Sequence, residues 1–194
     1  QIKAFSAAKT DNLILPGDLL HVDFGLTYLR QNSDQQQHAY VLRPGETSAP
    51  AYLVEALAKG NRLQDILTAN FKTGRSGNEI LAATHKAAAK AKINHSTYTH
   101  ALGFVGHAPG PTIGMWDNQG PTPVQGDWPL YANTAYAIEG NIKQAVPEWH
   151  NQLVQIKLEQ SAYFDGKQVV YLVQMLQVLL LGGLVLLDQP LHWL

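Results

Sequence analysis

The sequence predicts an α+β domain, a mainly antiparallel sheet with helices packed on one face. Three observations carry this reading. Two short alternating segments lie before residue 45, two stretches with helical spacing fill 50–92, and strand and loop patterns rich in Gly and Pro follow residue 97.

The residues at 14–17 turn into a first strand, LLHVDFGLTYL. Its alternation places Leu20, Val22 and Phe24 on one face and His21 and Asp23 on the other. A turn near 31–33 leads to a second strand, QQHAYVL, which Pro44 and Gly45 end. If the two strands are neighbours, Asp23 and Asp34 meet across a ladder although eleven residues separate them. Over 50–72, Leu53, Leu57, Leu63, Ile66 and Leu67 recur at helical spacing, with Gly60 as a weak point. Ser76 and Glu79 form a capping-box pattern before a second helix at 77–92, where a run of alanines permits close packing. Residues 136–138 and 154–158 read as strands with Glu139 and Glu159 at their ends. No tandem repeat interrupts this order.

Composition narrows the function. A chain of 194 residues, 45% hydrophobic and 15% charged, has room for one domain with a sizeable core. A net charge of −1 leaves no basic excess to neutralise phosphates, so nucleic acid is not an expected partner. The absence of cysteine excludes disulfides and thiolate metal sites and fits a reducing compartment, and a cytoplasmic location is expected. No secretory signal is visible before Lys3. Residues 169–187 are apolar apart from Gln174 and Gln177, a length that would reach across a bilayer. The preferred reading is a buried strand followed by an apolar segment broken at Gly182 and Gly183, because no Lys or Arg follows Lys167. The boundary between the globular unit and this tail is accordingly set at 168/169.

Five side chains of metal-ligand type occur in short distinctive contexts. Asp23 lies in HVDFG, Asp34 in QNSDQQ, His100 in YTHALGFVGH, Glu139 in YAIEGN and Glu159 in IKLEQSA. Four carboxylates and one imidazole make a hard, oxygen-rich set that suits two divalent ions, manganese first, with cobalt, zinc or iron as alternatives. The charges of four carboxylates balance two such ions. Without metal, carboxylates buried together would repel and hold protons.

These motifs resemble the pita-bread metallopeptidases, the group of methionine aminopeptidase, aminopeptidase P and prolidase. That family's ligand order is Asp, Asp, His, Glu, Glu. GDLLHVDFG surrounds the first Asp here, SD carries the second at the family's spacing, and HxxGxxxH runs from His100 to His107. GHAPGPTIG followed by WDNQG is closer to the prolidase and aminopeptidase P branch. The resemblance spans residues 13–168 and implies a curved sheet and a dinuclear site. It implies hydrolysis of the N-terminal peptide bond of short peptides, of the Xaa-Pro type.

It further implies that Asp23 binds one ion, that Asp34 and Glu159 bridge two, and that His100 and Glu139 complete the second. Glu139 would also shuttle the proton of the attacking water, and His107, standing apart from the ions, would hydrogen-bond substrate and the developing oxyanion. Gly103 and Gly106 would let the backbone approach the site. His21 lies on the Asp23 face, where orienting a carboxylate competes with a structural role, the reading preferred. His38, His85, His95, His150 and His192 lack a metal context and are read as surface or core residues, and Trp116 and Trp128 as packing residues more than pocket walls.

Three departures from the family stand out. Only 22 residues precede Asp23, so the domain is expected to be truncated at its N-terminus. No His occurs before His21, and the apolar tail replaces the usual ending. A catalytically inactive truncated homologue or a peptide-binding module of the same fold is therefore the alternative function. A metal-free hydrolase on this fold is disfavoured by the full ligand set, and a homodimer is left open.

Overall fold

The computed structural model describes residues 13–172 and 184–186. The chain runs β1 (Leu19–Phe24), β2 (Thr27–Tyr28), β3 (Gln31–Asn32), β4 (Gln35–Val41), α1 (Ala51–Thr68), α2 (Gly77–Lys90), β5 (His95–Thr97), β6 (His100–Leu102), β7 (Thr134–Val146), β8 (Gln152–Phe164), β9 (Val169–Tyr171) and β10 (Leu184–Leu186). Among the described residues, eight strands form one sheet in the order β1-β4-β8-β7-β5, with β10 on β4, β9 on β8 and β6 on β7. Every pairing is antiparallel.

The β7–β8 ladder is the spine of the sheet. Thirteen consecutive residue pairs run from Thr134 opposite Phe164 to Val146 opposite Gln152. Period-two alternation divides the side chains. Ile138 and Ile142 with Ile156 and Leu158 face the helices and are buried, whereas Glu139, Asn141 and Lys143 with Glu159, Lys157 and Gln155 lie on the opposite face. Helix α1 covers the apolar face. Its buried positions Leu53, Leu57, Gly60, Leu63 and Leu67 follow the helical period. Leu53, Leu57 and Leu63 join Ile142, Ile156 and Leu158 in one cluster, and Leu67 joins Phe71, Ile80, Tyr136, Ile138 and Phe164 in a second. Fully burying one such side chain contributes about 1.5–3 kcal/mol, so these two clusters hold the helices to the sheet.

Several local expectations change. Glu139 and Glu159 lie mid-strand, not at strand ends. Beyond Glu139, Asn141 and Lys143 face a cleft, which obscures the alternation that marks a half-buried strand. The first turn falls at Leu29 and Arg30, both at positive φ, rather than at 31–33. Neither residue is one that such a turn favours, so its signal is missing from the sequence. Helix α1 stops at Thr68, where Asn70 bonds back to the Ile66 carbonyl and Phe71 turns into the core. Gly60 is a contact point and not a weak one: a Cβ there would stand 2.2 Å from Leu158 Cδ1. The capping box at Ser76 and Glu79 is present, but of the alanines in α2 only Ala88 is buried. Val22 and Phe24 of β1, expected on an apolar face, are 50% and 40% exposed because α1 lies over β7 and β8 and α2 packs on α1.

The apolar run after residue 168 enters the sheet at both described places, β9 beside β8 and β10 beside β4. Its segment at 173–183 lies outside the described residues, as does His192. Among the described residues no helix is long and apolar enough to cross a membrane.

Candidate metal centre

Register alone assembles most of the site. Asp23 on β1 is opposite Gln36 on β4, Gln36 is opposite Glu159 on β8, and Glu159 is opposite Glu139 on β7. Residues directly opposite share a face of the sheet, so Asp23, Gln36, Glu159 and Glu139 form one row across four strands. Asp34 sits one residue before β4. The Ser161 hydroxyl accepts from the Asp34 N–H at 3.0 Å and donates to the Asp34 carbonyl at 3.1 Å, which fixes its backbone. His100 opens β6 and is opposite Ala137 on β7. Thr99 ties the strand to the site, its hydroxyl accepting from the Glu139 N–H and donating to the Glu139 carbonyl.

The structure thus gathers all five predicted ligand side chains. Ligand atoms of Asp23, Asp34 and Glu159 lie within 4.8 Å of one another, and so do those of His100, Glu139 and Glu159. His107, expected to stand apart, shares a third such group with Asp34 and His100, and its ring centroid is 4.2 Å from that of His100. Gly106 has open space at its Cβ position, so only Gly103, 3.3 Å from Ala108 Cβ, is closely approached.

Burial sets the charge states. Desolvation holds Glu159 well above the usual carboxylate range, and the charges of Glu139 and Asp34 add to it. Glu139 is raised mainly by burial, against the opposing hydrogen bond from Gln36. Burial and then Asp23 raise Asp34. The His100 imidazole moves the other way, down to about 4, because burial disfavours its charged form. Its Nδ1 donates to the Ala101 carbonyl at 3.2 Å. That bond leaves Nε2 as a bare lone pair, 3.8 Å from Glu159 Oε1 and 4.0 Å from Asp34 Oδ2. Among the described residues this buried nitrogen has no hydrogen-bond partner. A lone pair facing carboxylate oxygens is repulsive unless a proton or a cation lies between them, and a neutral imidazole nitrogen beside carboxylates is a donor set that can hold a divalent ion.

The row opens onto a cleft of about 820 Å³. Tyr98, Trp116, Asp117, Asn141, Lys143 and Lys157 line it beside the ligands. Trp116 is therefore a wall residue, contrary to the packing role read from the sequence, while Trp128 does not line the cleft. Two residues escaped the sequence reading. Gln36 bridges both glutamates, and Lys157 lies two residues before Glu159 on the same face; strand periodicity was the available signal for each.

Solved structures share this arrangement of elements. The X-Pro aminopeptidase from Thermotoga maritima matches over 87% of this chain and 43% of its own, at TM-score 0.61 and 20% identity. The prolidase from Pyrococcus furiosus matches over 87% and 44%, at 0.58 and 18%. The methionine aminopeptidase from Rickettsia prowazekii matches over 80% and 64%, at 0.56 and 14%. This chain has the pita-bread fold. It spans less than half the length of the first two proteins. No protein-family model and no curated protein matches the sequence. In the pita-bread frame the row of Asp23, Gln36, Glu159 and Glu139 lies on the sheet face opposite α1, with the β7–β8 ladder as its floor.

Proposed function

We propose that the chain is a metal-dependent peptidase that hydrolyses the N-terminal bond of short peptides, of the Xaa-Pro type. The observation that supports this most is the bare Nε2 of His100 facing Glu159 and Asp34 inside a carboxylate cluster. Asp23, Asp34 and Glu159 would hold one ion, and Asp34, His100, Glu139 and Glu159 the other, with manganese the first candidate and cobalt, zinc or iron next. Bound ions would supply polarisation of the scissile carbonyl and a lowered pKa for water. The chain's own residues supply the rest. Glu139, mid-strand on the cleft floor, takes the proton of the attacking water and passes it to the leaving amine. His107, exposed at the cleft, donates to the carbonyl oxygen as it gains charge. The walls of the cleft would hold the peptide along β7 and β8.

A second reading is metal and peptide binding without turnover, which the same donor groups beside the same cleft would also support. Metal content and hydrolysis of an Xaa-Pro dipeptide panel, measured on the 194-residue chain with Mn²⁺ added, separate the readings. About two ions with turnover support the peptidase. Two ions without turnover support the binding form, and no bound metal refutes both.

A further inference from the structure

We propose that Gln36 is a positioning residue of the metal centre and that His21 fixes which way its amide faces. The proposal rests on the metal reading above and concerns two residues that carry no ligand role in it.

Gln36 is 3% exposed and stands in the middle of the ligand row. Its Nε2 donates to Glu139 Oε1 at 3.0 Å and to Glu159 Oε2 at 2.8 Å. One amide group therefore uses both of its hydrogens on two carboxylates from different strands. With both carboxylates ionised, as metal binding requires, the flipped amide would set Oε1 against two acceptor oxygens, which is repulsive. The observed orientation thus follows from the carboxylates themselves.

His21 reinforces it from the other side. Its Nε2 lies 2.9 Å from Gln36 Oε1. Since Oε1 only accepts, His21 Nε2 carries the hydrogen. Beside it, His38 is held by two backbone groups. Its Nδ1 donates to the Leu20 carbonyl at 3.3 Å, and its Nε2 accepts from the Lys157 N–H at 3.0 Å. The rings of His21 and His38 lie with centroids 5.0 Å apart. A continuous set of directed bonds therefore runs from His21 through Gln36 to both glutamates.

The consequence is geometric. Each glutamate has one oxygen held by the amide, so its other oxygen is turned elsewhere. For Glu159 that oxygen is Oε1, the atom 3.8 Å from the bare His100 Nε2. Gln36 thereby aims a ligand oxygen at the space that His100 faces. A neutral donor does this without adding a charge that would compete with a cation. A serine or threonine hydroxyl has one hydrogen and could not hold both carboxylates. Groups of this kind, bonded behind ligands, orient them, and their loss typically weakens metal binding by about 10–100-fold.

The test uses Mn²⁺ affinity by calorimetry and the visible absorption of the Co²⁺-loaded protein, neither of which needs activity. Gln36→Met keeps the volume and removes both donors; it is expected to weaken Mn²⁺ binding about 10–100-fold and to shift the Co²⁺ bands. His21→Phe, at an exposed strand position, should act in the same direction but less. The double variant should be no weaker than Gln36→Met alone, because His21 acts through Gln36. His21→Asn, which restores a donor, should recover part of the affinity. Wild-type affinity and unchanged bands in both single variants would overturn the proposal while leaving the metal reading intact. Additive losses would overturn the role given to His21. A wild-type chain that binds neither ion would overturn this proposal together with the reading beneath it.

Discussion

Replacing Glu159 by glutamine should stabilise the metal-free protein at alkaline pH. Glu159 is 2% exposed, is opposite Glu139 across the β7–β8 ladder and shares a ligand group with Asp34. Burial and those neighbours raise its folded pKa above the value of an unfolded glutamate, about 4.3. Between the two values the folded chain keeps a proton that the unfolded chain releases. The metal-free protein therefore loses stability as pH rises through that window, and the loss is complete once pH exceeds the folded pKa. Each unit of upward shift corresponds to about 1.4 kcal/mol, and a buried, imperfectly satisfied polar group costs about 1–3 kcal/mol. An amide of the same size escapes this cost, so the variant should gain about 2 kcal/mol at pH 8, or about 4–8 °C for a domain of this length. The assay is thermal melting in EDTA at pH 5.5 and pH 8, with and without excess Mn²⁺. In EDTA the wild type should melt lower at pH 8 than at pH 5.5, and E159Q should reduce that difference. With Mn²⁺ the order should reverse, because metal needs the deprotonated carboxylate and stabilises only the chain that binds it. A variant that melts at or below the wild type in EDTA at pH 8 would refute the reasoning.

Three further outcomes are expected. Asp34→Ala should remove both ions, since Asp34 belongs to the group with Asp23 and to that with His100; elemental analysis after dialysis checks it, and two retained ions would contradict the assigned geometry. His107→Ala should lower kcat by about 10²-fold with metal content unchanged if its role is to stabilise the oxyanion, whereas a fall in metal content would make it a ligand. Gly60→Val should destabilise the fold by about 1–3 kcal/mol in urea titrations, because its Cβ would press on fully buried Leu158.

The five clustered side chains proposed as ligands were legible because carboxylates and an imidazole in a fixed order are rare, and because HVDFG and AIEG set charge among apolar residues. Gln36 was not. It lies in a run of three glutamines, and nothing in local composition says which one register will place between two glutamates. The helices were legible from leucine spacing, and the start of α2 from its capping box. The full length of β7 was not, since Asn141 and Lys143 beyond Glu139 face a cleft and break the apolar alternation. Gly60 looked like a helix defect because its value lies in what it touches, Leu158, almost a hundred residues away in the chain.

The boundary between β4 and β8 is the thinnest seam in the sheet. The ladder there is a single register pair, Gln36 with Glu159. On one flank the Ser161 hydroxyl replaces a backbone partner for Asp34, and on the other the His38 ring receives the Lys157 N–H. Asp23 and Asp34 lie on one side of this seam, and His100, Glu139 and Glu159 on the other. Ions held by both sides would act as clasps across a weakly laced join. Metal loss and strand separation would then be one event, visible as hydrogen exchange that rises first along β1 and β4 while the long β7–β8 ladder stays protected.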